Sequence, residues 1–432
     1  MRDGVWRNWA RNQQVRPFAI DHPASEEDLV ALVKQAAVDG HPVKVVGAGH
    51  SFTDIALTTG RLVTLDRYAR VLSFDTDRYR VTVQAGITLE QLNAELDRRG
   101  LAMPNLGDIA YQTVAGATST STHGTGARLT GLADQIVGLR LVTADGSIVS
   151  CSADEESEVF RVARVGLGAL GIVTAVTFRV EPAFTLRAVE EPMPWGRVVD
   201  EFDALADGNE HFEAYWFPHT DRMLTKRNNR TDEAHPLSRL RAYVDDELLA
   251  NTAFGVVNRV GDLVPRAVPR LNRLSSRALS RRVYSDVSHR VLTSPRRVVF
   301  REMEYAVPRE VGMQALIEVR ALVEQRGWHI GFPVEIRHAP ADDAWLSTAH
   351  QRASVYLAFH VNARTDHSEY FAAVEQVLRA YDGRPHWGKL HTRGAADLAP
   401  SYPRFEDFLA VRDRVDPDRL FTNPYLERVL TR

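Results

Sequence analysis

Apolar and polar positions change their rhythm partway along the chain, and the predicted elements change with them. Up to about residue 182, short runs alternate between helical and strand spacing. Ser25 followed by Glu26, Glu27 and Asp28 reads as a helix start, with acids at the positive end of the helix dipole. Leu29, Leu32, Val33 and Ala36 then recur at helical spacing and Gly40 ends the run. Strands are predicted at 41–46, 61–65, 70–74 and 79–84, the last alternating as Tyr79-Arg80-Val81-Thr82-Val83-Gln84. A second helix is expected at 88–99, closed by Gly100, and Ala144-Asp145-Gly146 predicts a hairpin between 139–142 and 147–150. Beyond Pro182 the runs lengthen and fill with aromatic and β-branched residues at 213–218, 297–305 and 354–359. Helices at 309–326 and 368–381 separate these strands. The fold class is α+β: a first part of two small subdomains, then an antiparallel sheet with helices on one face.

Composition narrows the partners. At 432 residues the chain exceeds one ordinary core, so two domains are expected. Hydrophobic content of 44% and charged content of 25% are those of a globular protein. A formal net charge of −3 gives no reason to expect nucleic acid. No run approaches the ~18 uninterrupted apolar residues of a membrane span. The start, Met1-Arg2-Asp3-Gly4-Val5-Trp6-Arg7-Asn8, has no apolar signal core, so a cytoplasmic location is expected. The single cysteine, Cys151, excludes intrachain disulfides, Cys-rich zinc sites and iron–sulfur clusters, and its place at the end of a predicted strand reads as a small buried hydrophobe.

Candidate chemistry begins at Val45-Val46-Gly47-Ala48-Gly49-His50-Ser51-Phe52-Thr53-Asp54. A strand feeds a loop of small residues and then a histidine. Such a loop lets backbone N–H groups approach a diphosphate with no Cβ in the way, and the histidine sits where a reactive ring could be held. On these residues alone, a merely polar loop histidine is an equal reading. A Gly-x-Gly-x-x-Gly run, Gly166-Leu167-Gly168-Ala169-Leu170-Gly171, lies between a predicted helix (155–165) and a predicted strand (172–180). That order is the inverse of a nicotinamide-dinucleotide fingerprint, which the sequence therefore excludes. No His-Glu-x-x-His or Gly-x-Ser-x-Gly supports a hydrolase. Glu335 and Arg337 alternate on one predicted strand, so both leave the same face; the pair could accept from and donate to sugar oxygens, or form a solvent-facing salt bridge.

Further segments follow in order: Pro104-Asn105-Leu106-Gly107-Asp108, Ser121-Thr122-His123-Gly124-Thr125-Gly126, Pro333-Val334-Glu335-Ile336-Arg337 and Arg384-Pro385-His386-Trp387-Gly388-Lys389. The tail adds Asp416-Pro417-Asp418-Arg419-Leu420-Phe421 and Asn423-Pro424-Tyr425-Leu426. Together with the glycine–histidine loop, this series resembles the vanillyl-alcohol-oxidase (PCMH) type of FAD-linked oxidoreductases, in their aldonolactone and alditol oxidase branch. The resemblance runs from about Trp9 to the end and is weakest between Arg222 and Arg297.

The resemblance implies an FAD-binding domain over residues 1–182 and a substrate domain over 183–432, with 384–432 returning to the flavin. It implies FAD linked covalently through His50, and through no cysteine. Val46, Gly47, Ala48, Gly49, Ser51, Phe52, Gly107, Thr113, Ser119, Thr122, His123, Gly124, Thr125, Gly126, Gly171, Ile172 and His386 are the implied cofactor contacts. Thr120 and Ser121 belong to the same hydroxyl-rich stretch. Glu335 and Arg337 are implied to line the substrate pocket, and His360 either faces it or is a buried structural histidine. Lys389 is implied as the cation that meets negative charge on the reduced flavin. The expected activity is oxidation of an L-gulono-1,4-lactone-like aldono-1,4-lactone at a secondary hydroxyl, by hydride transfer to flavin N5, giving an ascorbate-type product. The electron acceptor would be O2 or a carrier such as cytochrome c. The alternatives are an alditol oxidase acting on a primary hydroxyl, or a flavin-binding docking module without turnover.

Segment 259–301 stands apart. Arg259, Arg266, Arg270, Arg273, Arg277, Arg281, Arg282, Arg290, Arg296, Arg297 and Arg301 face only Asp262 and Asp286, with Val264, Val268, Leu271 and Leu274 as an apolar stripe. It could dock on acidic lipid or a partner. Because Pro265 and Pro269 are expected to break a short helix, a solvated insertion is the expected state. Animal members of the branch are strongly apolar here and membrane-bound, and this chain departs from them, so membrane association is not expected.

Overall fold

A capping box starts the first helix where the pattern put it. The Ser25 hydroxyl accepts from the Asp28 amide, the Asp28 carboxylate accepts from the Ser25 amide, and Gly40 ends Glu26–Asp39 at φ +68. Our computed structural model describes residues 4–238, 259–261, 263–294 and 298–431. Leu29, Val33 and Ala36 of this helix pack with Val43 and Val63 of a parallel three-stranded sheet, ordered Ala19–Asp21, Arg61–Thr64, Val43–Val46. Parallel neighbours need a crossover, and the helix supplies it.

The second subdomain is an antiparallel five-stranded sheet in the order Ile148–Ser152, Ile136–Val142, Ile172–Arg179, Arg80–Gln84, Val71–Asp75. Thr88 caps the helix Leu89–Asp97, as expected. The Gly166–Gly171 run does lie between a helix, Ser157–Ala163, and the strand Ile172–Arg179. Cys151 is buried in the core of this sheet.

The third sheet has eight antiparallel strands, ordered Arg282–Val287, Thr185–Pro194, Arg222–Thr231, His211–Trp216, Val334–Ala339, Ser354–Asn362, Phe300–Pro308, Arg384–Pro385. The strand expected at 297–305 is Phe300–Pro308, residue 297 lying outside the described residues. Arg222–Thr231 was not legible as a strand: it reads Lys-Arg-Asn-Asn-Arg in its second half, and pairing on both sides holds it in place.

Period two divides this sheet into unlike faces. Ala214, Trp216, Met303, Tyr305, Ile336 and Leu357 belong to an apolar core with Leu316, Val319 and Val374 from the covering helices Gly312–Arg326 and Ser368–Ala380. Glu213, Tyr215, Glu302, Glu304, Glu335, Arg337, Tyr356 and His360 occupy the alternate positions, so their side chains leave by the other face. The tail returns to the first part of the chain: Phe405, Phe408, Tyr425 and Leu426 share a core with Val81, Val83 and Leu92.

Pro265 and Pro269 open a helix instead of breaking one. A 3₁₀ turn, Pro265–Ala267, leads into Val268–Ala278, with the prolines in first-turn positions where a missing N–H costs nothing. Asp262, Arg296 and Arg297 of the basic segment lie outside the described residues. Among the described residues, no helix is long and apolar enough to cross a membrane.

Candidate active site

Strand Val43–Val46 delivers the glycine loop into a cleft with about 990 Å³ of empty space, walled also by Thr113, Ser119, Thr120, Gly168 and Gly171. Both loop glycines are required by geometry. A Cβ on Gly47 would stand 2.3 Å from Thr113 Oγ1, and Gly49 has φ +70. Among the described residues, the amides of Ala48, Gly49, His50 and Ser51 donate to no protein acceptor. Successive free amides at a left-handed turn form a concavity for an anion. The donor set therefore fits the diphosphate of a flavin dinucleotide.

His50 follows at the cleft wall, its ring 5.4 Å from that of Trp9. Burial, with help from the nearby Lys389 charge, pushes its pKa down to about 4. The imidazole is thus neutral at pH 7, as a ring nitrogen that is to form a bond must be.

The tail fixes the far side of this loop. Asn423 Nδ2 donates to the carbonyls of Asp54, Ile55 and Leu57 at 3.0, 3.0 and 2.9 Å. Its Oδ1 caps the helix Pro424–Leu430. Phe52 N donates to Gly388 O at 2.7 Å, and Thr53 Oγ1 donates to Trp387 O at 3.1 Å. A Cβ on Gly388 would sit 3.1 Å from Ser51 Oγ. This stitching places Lys389 beside the histidine loop, its Nζ 5.3 Å from the Phe52 ring centroid.

Lys389 also reaches the charged sheet face, where Nζ donates to Glu302 Oε2 and lies 3.8 Å from Glu304 Oε2. Glu302 Oε1 stands 3.4 Å from His360 Nε2, and Glu304 Oε1 stands 2.5 Å from His123 Nε2. The other ring nitrogens face Pro333 O at 3.2 Å and Gly124 O at 2.9 Å. Burial alone would raise both carboxyls. Lys389 and His360 outweigh it at Glu302, and His123 outweighs it at Glu304, so both are held well below the usual carboxylate range. Carboxylates and ammonium hold each other's charge in turn: burial disfavours the Lys389 cation, but Glu302 and Glu304 raise its pKa overall.

A second cluster lies along the same face. Arg337 Nε is 2.5 Å from Glu335 Oε1 and 3.0 Å from Glu213 Oε2. Lys226 Nζ is 3.5 Å from Glu213 Oε1, and Asp108 Oδ1 is 4.0 Å from Arg337 Nη2. Against the cost of burial, Glu335 and Glu213 keep the guanidinium charged. Burial raises the Tyr215 phenol, so it stays a neutral donor and acceptor. Every cation on this face has a carboxylate partner, which suits a neutral, hydroxyl-rich ligand better than an acid.

The residues named from sequence fall into three places. Val46 to Ser51, Thr113, Ser119 and Gly171 line the cleft. Lys389, Glu335, Arg337, His360, His123 and His386 gather at the charged face, with His386 buried and pushed down to about 4 by that burial. The rest stand elsewhere: Phe52 joins an aromatic cluster with Trp9 and Phe300, and Ile172 lies in the core behind the cleft. Thr125 donates to Phe212 O, Gly126 N donates to His338 O, and Gly107, Thr122 and Gly124 pack among themselves and Asn105. Ser121 Oγ lies 3.4 Å from Ser347 Oγ.

Sequence reasoning missed Glu213, Lys226, Glu302, Glu304, Tyr215, Asp108 and Tyr356, on whose ring His123 stacks at 3.5 Å. One signal was there. Glu302 and Glu304 alternate with Met303 and Tyr305 in a strand buried on both faces, where a carboxylate needs a partner.

Comparisons with known proteins agree with this geometry. Residues 176–429 match the family D-arabinono-1,4-lactone oxidase, and residues 17–152 match the family FAD binding domain. An L-gulono-1,4-lactone dehydrogenase of Mycobacterium tuberculosis is 42% identical over 426 residues, covering 99% of each chain. An L-gulonolactone oxidase of Bos taurus is 34% identical, covering 98% of each. Among solved structures, a cholesterol oxidase from B. sterolicum superposes with a TM-score of 0.82 at 17% identity, covering 99% of this chain and 96% of that one. At that identity the likeness is one of fold.

Proposed function

The chain belongs to the D-arabinono-1,4-lactone oxidase family and carries its FAD binding domain, and from this premise we infer that it oxidises an aldono-1,4-lactone. The substrate is L-gulono-1,4-lactone-like, the reacting group a secondary hydroxyl, and the product of the ascorbate type. The observation that carries this reading is the meeting of Lys389, Glu335 and Arg337 on one sheet face beside the histidine loop. The division of labour we infer follows the sheets, with residues 1–182 holding the flavin and 183–432 the substrate.

FAD, when bound, supplies the acceptor for the hydride. The chain's own residues do the rest. Free amides from Ala48 to Ser51 hold the diphosphate. Arg337, with its planar fork already oriented by Glu335 and Glu213, donates to lactone oxygens, and Glu335 accepts from a substrate hydroxyl. Lys389 places a fixed positive charge where negative charge grows on the reduced ring. Paired cations leave no spare charge for a carboxylate, so the closed lactone is taken in preference to the open-chain acid.

The attachment we infer is covalent, through His50 alone. A neutral imidazole at the cleft wall supports it, and Cys151 lies in the core of the five-stranded sheet. An acid-precipitated, washed pellet that stays yellow is the expected result; colour found wholly in the supernatant would overturn it.

Anaerobic addition of an aldono-1,4-lactone should bleach the flavin absorbance, and alditols should bleach it far more slowly. Faster bleaching by alditols would favour a primary-alcohol oxidase, and no bleaching by either class would favour a module without turnover. Reoxidation by O2 or by cytochrome c, followed in the same cuvette, identifies the acceptor.

A further inference from the structure

The arginine-rich helix Val268–Ala278 takes no part in the charged site. Successive residues turn by about 100°, so Arg270, Arg273, Leu274 and Arg277 share an arc of roughly 100° on one side. Arg266 lies one turn earlier. Val268, Asn272 and Ser276 occupy the opposite side and are buried. Asn272 Nδ2 donates to Pro218 O at 3.0 Å and Ile330 O at 2.9 Å, which fixes which face looks outward.

That outward face is unusual in two ways. Arg259, Arg266, Arg270, Arg273, Arg277 and Arg281 are all exposed, and among the described residues none has an ion pair. Their neighbours show the contrast, for Arg282 pairs with Glu190 and Arg290 with Asp286. Between the arginines stand exposed aliphatics: Leu263 at 82%, Leu274 at 68% and Val264 at 53%. Unrelieved like charge and aliphatic groups left in water are both unfavourable, and one kind of surface relieves both. Guanidinium groups pair with phosphate oxygens while short aliphatics enter the headgroup layer. An acidic protein would neutralise the charge, but this convex ridge of scattered aliphatics has no hollow for a partner to fill. The expectation of a merely solvated insertion rested on a broken helix, and the helix is intact.

We propose that Val268–Ala278 docks this protein peripherally on an anionic phospholipid surface, through the Arg266–Arg277 stripe and Leu274. The binding is electrostatic and reversible, and it concerns a face separate from the chemistry.

Sedimentation of the flavin-loaded full chain with vesicles tests it. Phosphatidylcholine vesicles should leave the protein in solution, and vesicles that also contain phosphatidylglycerol should carry it down, with release at high salt. Each arginine neutralised should weaken partitioning about fivefold. Arg270→Gln with Arg273→Gln should therefore bind on the order of 25-fold more weakly, and Leu274→Ser should weaken binding without changing its salt dependence. Both variants should bleach with lactone at the wild-type rate, which shows that they are folded. Equal recovery on the two vesicle types, no recovery on either, or arginine variants that bind as well as wild type would overturn the proposal. Binding to soluble polyglutamate but not to vesicles would overturn it too, and assign the face to an acidic protein.

Discussion

The loop from Ala48 to Ser51 offers a ligand backbone amides, whereas the charged sheet face offers it side chains drawn from five strands. In the loop, function depends on atoms that are missing. The Cβ that Gly47 lacks would lie 2.3 Å from Thr113 Oγ1, so the chain approaches its neighbour as closely as bare backbone allows. On the sheet face, function depends on atoms that balance. Glu302, Glu304, Lys389, His123 and His360 are each buried or nearly so, and each meets a partner of the other kind. A loop of this sort fails all at once when one methyl is added. A face of paired charges fails by degrees, because removing one member leaves another buried without its counter-charge.

The largest effect is therefore expected from the smallest atoms. Gly47→Val places a branched side chain against Thr113, whose hydroxyl also caps the helix Val114–Ser119. The variant should purify without flavin absorbance and show no lactone oxidation, while circular dichroism stays native-like. A yellow, active Gly47→Val protein would mean that the loop is not the diphosphate cradle.

Lys389→Met breaks the balance on the sheet face instead. The ammonium is held by Glu302 and Glu304 before any substrate arrives, so it acts as a preorganised charge. Stopped-flow reduction without oxygen should show a limiting rate lowered by about 10²–10³-fold, with little change in the apparent lactone dissociation constant. A normal limiting rate with weakened binding would move Lys389 into substrate recognition.

The two regions were not equally legible. Gly47-Ala48-Gly49-His50 could be read because its parts are adjacent in the chain and answer a backbone requirement. Asn423-Pro424-Tyr425-Leu426 could be recognised as a pattern, but not understood until Asn423 was seen clamping the carbonyls of Asp54, Ile55 and Leu57, far earlier in the chain. Glu335 and Arg337 were found through strand alternation. Glu213 was not, because its relation to Arg337 depends on strand order: His211–Trp216 neighbours Val334–Ala339, and no local period encodes that. Lys226 was hidden more deeply, in a strand whose composition does not favour strands. Helix Val268–Ala278 was misjudged for a different reason. Proline breaks a helix in its interior but suits its first turn, and only the start of the helix decides between the two.

Arg337→Lys makes a finer cut, keeping the charge while losing the planar fork. Arg337 meets both Glu335 and Glu213, so a lysine satisfies one of them and leaves fewer donors for the lactone. Loss of a charge-assisted hydrogen bond corresponds to about 1.5–3 kcal/mol in kcat/KM. Steady-state kinetics on a lactone series should show that loss in both kcat and KM, with flavin content unchanged. An unaltered kcat/KM in Arg337→Lys and in Glu335→Gln together would place substrate elsewhere.

Cys151→Ser should change least, and it separates the cleft from the sheet behind it. The thiol lies in the core of the five-stranded sheet, and burial, then Glu155 and Glu156, pushes its pKa up to about 12. A thiol that is neither ionised nor accessible cannot act as a nucleophile at neutral pH. Native protein should therefore resist iodoacetamide, and the serine variant should keep both its turnover and the flavin in its acid precipitate. The cost should appear only in stability, at about 1–3 kcal/mol for a buried hydroxyl, read as a lower melting temperature. Loss of precipitable flavin in Cys151→Ser would show that the five-stranded sheet, and not the glycine loop alone, holds the cofactor.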